Sequence, residues 1–330
     1  GAGAGGCRGA GLRGPQTGVF FLMLRRPPRS TLCPYTTLFP SVTGLDMWHT
    51  RGVPRLDVPS MKVTDGPNGA RGDGLLGSGT ATACIPSGSA LGATWDPELV
   101  ERLGALLADE ARAKGAHVLL APTINLHRSP KGGRNFECYS EDPILAGRLA
   151  AAFVKGVQSR GVATTPKHFV ANDSEFERNT IDSRVDERTL REVYLVPFEH
   201  AIKQGGSWGL MSAYNRLNGD FCSENKWLLE TVLREEWGFA GFVVSDWFAL
   251  RSTAGSVNAG LSLEMPGAGN WYGPKLALAI KRGDVEEAAL DRIAADVLRA
   301  CERTGVLDGE GRSDETTLDR VEDRALVREA

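Results

Sequence analysis

GFVVSDWFAL, residues 241–250, is the stretch that decides the fold. The apolar run Gly241-Phe242-Val243-Val244-Ser245 reads as a buried strand. It stops on a carboxylate, Asp246, with Trp247 and Phe248 beside it. Short apolar runs of the same kind recur along the chain: SMKVTDGP (60–67), ALGATWDP (90–97), HVLLAPTIN (117–125), GVATTPKHF (161–169), GLMSAYN (209–215) and AGLSLEMPG (259–267). Amphipathic stretches with helical punctuation separate several of them. Asp96-Pro97-Glu98 supplies an N-cap, a first-turn proline and an early acid, and Leu99, Leu103 and Leu106 recur at helical spacing until Lys114-Gly115. Asp142-Pro143 starts a second helix that runs towards Gly161. Ser223 is the expected cap of a helix ending near Gly238, and Asp284 with Glu287 resembles a capping box. Pro197 predicts a kink or break in EVYLVPFEHAI.

Strands alternating with helices imply a parallel sheet. The runs span a length close to the roughly 250 residues of a (β/α)8 TIM-like barrel. An open doubly wound sheet is the structural alternative. It would usually carry a glycine-rich phosphate loop after its first strand, and no GxGxxG follows here. Barrel chemistry sits at the C-terminal ends of strands. Asp65 follows MKVT, Lys167-His168 follow GVATTP, Tyr214 follows LMSA, Asp246 follows GFVVS and Glu264 follows LSL. One such ending is compatible with chance or a helix cap; together they predict a polar pocket at one face.

Composition narrows the function classes. The chain has 330 residues, 42% hydrophobic and 24% charged, with a formal net charge of −3. It shows no basic footprint for nucleic acid and no apolar run long enough to cross a membrane. Its cysteines, Cys7, Cys33, Cys84, Cys138, Cys222 and Cys301, form no CxxC pair and read as ordinary thiols. Residues 1–43 read as foreign to the rest: a Gly/Ala/Arg-rich stretch precedes VFFLMLRRPPRSTLCPYTTLFPS (19–41), which has the wrong polarity for a signal peptide and resembles translated adapter sequence. The compartment stays open, with the cytoplasm slightly favoured.

VTDGPNGARG (63–72), GGRNFECYSEDP (132–143), PKHFVANDSEFERN (166–179), MSAYNRLNG (211–219) and GFVVSDWFAL, in this order, resemble the β-glucosidase branch of glycoside hydrolase family 3. The resemblance covers residues 44–306 and implies a TIM-like barrel acting on a β-glucoside or oligosaccharide, with no metal or organic cofactor. It implies Asp246 as nucleophile, Trp247 as a wall of the glucose pocket, and Asp65 as acceptor from two sugar hydroxyls. Lys167 and His168 would donate to ring hydroxyls, and Arg71 and Arg134 would bind the sugar. Arg178 would help keep Asp246 ionised, and Met211 and Tyr214 would contact the sugar beside the nucleophile. Glu137 reads as a structural partner of a nearby arginine. Glu264 stays open, and His49, His117, His127 and His200 stay unassigned.

In the family an α/β-sandwich domain follows the barrel and supplies the acid/base glutamate. Residues 307–330 resemble the linker towards that domain, so the expectation is a barrel without its acid/base partner and with little turnover alone. The family's single-domain members use a loop histidine after a KHFPGHG-like motif; here KHFVANDSE and FERNTIDSRVDE contain none beyond His168. A β-xylosidase or α-arabinofuranosidase, a non-catalytic sugar-binding barrel, and a Schiff-base enzyme using Lys167 are the rivals.

Overall fold

The strands are short and mostly parallel. In the computed structural model, which describes residues 39–74, 79–267, 271–309 and 314–330, β1 (Val63–Asp65), β2 (Val118–Leu120) and β3 (Ala163–Thr164) form one sheet in that order. Val63 pairs with Val118, and Val118 with Ala163. A small separate sheet holds β4 (Asp182–Ser183), β6 (Arg216–Leu217) and β7 (Asp220–Phe221). Between these in sequence, β5 (Gly209–Ser212) pairs in parallel with β8 (Phe242–Ser245), Ser212 against Ser245.

Single bridges extend these pairings. Phe169, beyond β3, bridges Ser212; Val244 bridges Leu263; Glu264 bridges Thr43; and His49 pairs antiparallel with Lys62, next to β1. These isolated bridges connect neighbouring segments between the short sheets. Alternate residues on each strand bury in different places, as the period of two requires. Val118, Leu120, Met211 and Val244 share one cluster, whereas Leu119, Leu210 and Val243 join the larger core under the helices.

The helices Pro97–Ala113 and Pro143–Gln158 begin where their caps predict. Asp96 Oδ1 accepts from the Leu99 amide at 3.0 Å, and Asp142 Oδ1 accepts from those of Ile144 and Leu145. They cross closely: a Cβ on Gly156 would come within 2.0 Å of the Glu101 carbonyl oxygen, so only glycine permits the contact. Leu103 and Leu107 on the first helix are fully buried, each stabilising by about 1.5–3 kcal/mol. Pro197 sits in the first turn of the helix Val196–Lys203, directly after a π-turn in which the Leu195 amide reaches the Leu190 carbonyl. Among the described residues, no helix is long and apolar enough to cross a membrane.

Several local expectations need correction. Residues 88–94 are a helix, Gly88–Thr94, not a strand; Ser87 caps it and Trp95 ends it with positive φ. AGLSLEMPG (259–267) pairs more sparsely than a strand, through isolated bridges at Leu263 and Glu264. The helix Trp227–Glu236 is capped by Asn225, which accepts from the Leu228 amide at 3.0 Å, rather than by Ser223. The helix Glu287–Arg303 starts after Glu286 with no side-chain cap. Ser41, Val42 and Thr43 are buried, and the Val42 carbonyl accepts from the Glu264 amide, so the packed chain begins before residue 44. Residues 1–38, with Cys7 and Cys33, lie outside the described residues. Within the expected linker, residues 314–330 lie against the domain: Glu315 accepts from Lys62 Nζ at 2.8 Å, Arg320 pairs with Asp109, and Glu329 pairs with Arg102.

Candidate active site

The ends of β1, β3, β5 and β8 place the predicted polar groups together. Asp65 closes β1. Gly66 follows with φ +143, and a Cβ there would lie 1.7 Å from the Gly69 carbonyl oxygen, so the tight turn to Arg71 needs glycine. Lys167 Nζ donates to Asp65 Oδ1 at 2.6 Å, and Arg71 Nη2 lies 3.7 Å from Oδ2. Burial alone would raise the Asp65 pKa, but Lys167, Arg71 and Arg134 outweigh it and hold the carboxyl below its ordinary value.

Asp246 follows β8 and is only 8% exposed. Its Oδ1 accepts from the Trp247 amide at 2.7 Å. Its Oδ2 has no hydrogen-bond partner and lies 3.5 Å from His168 Nε2. Burial pushes the carboxyl up to about 6, against the opposing pull of Lys167, the Trp247 amide, Arg134 and the nearby Tyr214 hydroxyl. That hydroxyl donates to the Trp247 carbonyl at 2.9 Å, and burial, followed by the Asp246 charge, raises its pKa.

Arg134 joins the two carboxylates' surroundings. Its Nε donates to Glu137, and its Nη2 lies 3.3 Å from His168 Nε2. Glu137 also accepts from Thr123 Oγ1 at 2.9 Å, so it is occupied by a structural pairing. His168 is buried; desolvation, then Arg134, Lys167 and Arg178, drive its pKa well below the ordinary value, and the ring is neutral. Met211 is buried in the inner cluster, paired with Val244 of β8. The Trp247 ring lies 5.7 Å from that of Trp48, and its Nε1 donates to the Met47 carbonyl at 3.1 Å.

Arg178 donates to Glu175 at 3.0 Å and lies over the Tyr214 ring at 5.3 Å, while the largest influences that favour ionised Asp246 come from Lys167, the Trp247 amide, Arg134 and the Tyr214 hydroxyl. Glu264 accepts from the amides of Trp271 and Tyr272 and from Thr43 Oγ1, which gives it a structural role. Asn125, against His168, and Trp48, against Trp247, also border the site and are not among the residues that the resemblance implies. Trp48 carried a signal in WHTRG, an aromatic in a segment otherwise without an apolar run; Asn125 carried none beyond being polar at the end of HVLLAPTIN.

Chemically, the site offers one ionised acceptor braced by cations, one carboxylate with a bare oxygen, fixed donors from lysine and arginine, and an indole face. Such a set of donors and acceptors suits a ligand with several hydroxyls, since each desolvated hydroxyl requires a partner.

Residues 51–300 match the glycosyl hydrolase family 3 N-terminal domain. A β-glucosidase of Rhizobium radiobacter is 56% identical over 288 residues, 87% of this chain and 35% of that protein. A probable β-glucosidase J of Emericella nidulans is 48% identical over 306 residues, 92% of this chain and 36% of that protein. The chain therefore spans about a third of the length of these curated relatives. Among solved structures, β-glucosidase 3B of Thermotoga neapolitana in complex with glucose superposes with a TM-score of 0.84 at 38% identity, covering 90% of this chain and 45% of that one. The β-glucosidase of Kluyveromyces marxianus in complex with glucose gives 0.86 at 38% identity, covering 94% and 38%. With the family match extending over most of its length, the chain belongs to glycosyl hydrolase family 3 and carries that family's N-terminal domain.

Proposed function

We propose that this chain is the nucleophile-bearing (β/α)8 barrel of a retaining β-glucosidase, with terminal β-D-glucosyl residues as its substrate. The observation that carries the reading is the buried Asp246 carboxyl, whose Oδ2 has no hydrogen-bond partner, set at a strand end beside the Asp65–Lys167 pair.

In the first step Asp246 Oδ2 attacks the anomeric carbon. The bond to the aglycone oxygen breaks, and that oxygen takes a proton from an acid. A glycosyl ester on Asp246 results. Water then attacks the same carbon, the ester bond breaks, and the conjugate base of that acid takes the proton. Asp65 accepts from sugar hydroxyls while Lys167, Arg134 and Arg71 donate, and Trp247 packs on the ring. The family resemblance assigns the acid/base role to the following α/β-sandwich domain; Glu137 and Glu264 of this chain are each held by other partners.

The test is incubation with 2,4-dinitrophenyl 2-deoxy-2-fluoro-β-glucoside, followed by intact mass and peptide mapping. Dinitrophenolate leaves without protonation, and the fluorine slows hydrolysis of the ester. A single fluoroglucosyl adduct on Asp246, absent from Asp246→Asn, is the expected result. A folded protein that reacts only with the fluoroxylosyl analogue would make it a β-xylosidase; one that reacts with neither would sink the reading.

A further inference from the structure

The surroundings of His168 fix where its single proton sits. Asn125 holds this residue by its backbone: the His168 amide donates to Asn125 Oδ1 at 2.9 Å, and Asn125 Nδ2 donates to the His168 carbonyl at 3.0 Å. A backbone amide can only donate and a carbonyl can only accept, so the Asn125 side chain cannot be turned over without losing both bonds. The same Oδ1 lies 3.3 Å from His168 Nδ1, so the proton must be on Nδ1 for that contact to be favourable. The other side of the ring gives the same answer independently. Arg134 Nη2 approaches Nε2 at 3.3 Å, and a guanidinium has nothing but donors, so Nε2 presents its lone pair.

We infer that Asn125 is a positioning residue that holds His168 as the Nδ1–H tautomer, so that no imidazole proton reaches Asp246 Oδ2. The inference rests on the nucleophilic role proposed for Asp246. The other tautomer would aim Nε2–H at Oδ2, 3.5 Å away, and would blunt its attack. With the lone pair facing it, Oδ2 stays bare as an anion and can hydrogen-bond to Nε2 only when it is itself protonated. This tautomer also leaves His168 without a free ring N–H for a sugar hydroxyl, in contrast to the donor that the family resemblance implied.

The experiment is nitrogen NMR of the full chain labelled with 15N-histidine, with His168 identified by its loss in His168→Gln. The expected spectrum shows a one-bond proton coupling at Nδ1 and an unprotonated Nε2; a protonated Nε2 near neutral pH would overturn the inference. This outcome is independent of any glycosidase activity, so it decides the inference even if Asp246 forms no adduct. Asn125→Asp supplies the second readout. The charged groups facing the ring are Arg134, Lys167, Arg178 and Asp246, and a new carboxylate at 125 opposes the three cations. His168 should then take up a second proton at higher pH than in the parent. The acid limb of fluoroglucosyl trapping should move to lower pH, and its rate should fall about tenfold. A folded Asn125→Asp protein with the parent's histidine titration and acid limb would reduce Asn125 to a structural role. If that variant does not fold, the parent spectrum alone decides.

Discussion

Asp65 and Asp246 are the same residue type at equivalent places, each ending a parallel strand, yet their surroundings drive them in opposite directions. Asp65 is bonded directly to Lys167 and faces Arg71, and its carboxyl is held below the ordinary value. Asp246 has one backbone amide and no directly bonded cation, and burial raises it to about 6. A carboxylate saturated by cations is a good fixed acceptor and a poor nucleophile. One that is desolvated and left with a free oxygen is the reverse. Under the proposed function, this difference would assign binding to Asp65, which Lys167 holds directly, and attack to Asp246.

Breaking that hold should have the largest effect. Lys167 is 5% exposed at its side chain, and its partner Asp65 is 27% exposed. Lys167→Met leaves Asp65 partly desolvated with only the longer contact to Arg71. Because Asp65 keeps some solvent, the cost should lie below that of a fully buried pair, at about 2 kcal/mol. Urea unfolding should show it as a lower midpoint at unchanged slope. Adding Asp65→Asn should recover part of the stability without restoring fluoroglucosyl trapping. A single variant as stable as the parent would mean that Lys167 does not hold Asp65.

Acid should separate the two carboxylates next. The folded state raises the Asp246 pKa above its ordinary 3.8, so it binds that proton more readily than the unfolded chain does. The group's burial cost is present in full above about 6 and is relieved as the pH falls from there towards 3.8. Asp65, depressed, contributes stability above its ordinary 3.8 and loses it as the pH falls further. Stability from these groups should therefore rise between pH 7 and 5, and Asp246→Asn should remove the Asp246 part of that rise. Trapping should move the other way, falling below about pH 6 as the nucleophile is protonated. An acid limb near the ordinary carboxylate value would show that burial does not set the Asp246 charge.

The carboxylates were legible in the sequence because each interrupts a buried apolar run, where an unpaired charge is too costly to occur without a partner or a task. The caps at Asp96 and Asp142 were legible because their partners lie two or three residues away. What failed depended on distant backbone. ALGATWDP looks like a strand by composition, but its helix exists where Gly88 and Gly92 press against the backbone of Glu137 and Tyr139. A Cβ on these glycines would lie 2.3 and 1.9 Å from the respective carbonyl oxygens. Asn125 grips a backbone 43 positions away, and no local pattern records that. Ser223 has the residue type of a cap, but Asn225 is in the register that reaches the Leu228 amide three residues on.

The smallest expected effect tests whether Asp65 truly leans on one cation rather than two. Arg71 is 49% exposed at its side chain and lies 3.7 Å from Asp65 Oδ2, a distance and exposure at which an ion pair contributes little. Arg71→Ala should change the unfolding free energy by no more than about 0.5 kcal/mol. If Arg71 also donates to the sugar, the same variant should weaken glucose protection against trapping about tenfold, the size of one charge-assisted hydrogen bond. Stability and binding would then part company at Arg71 while falling together at Lys167. A loss of stability comparable to that of Lys167→Met would mean that Asp65 shares its charge equally between the two cations, and the contrast with Asp246 would no longer turn on a single lysine.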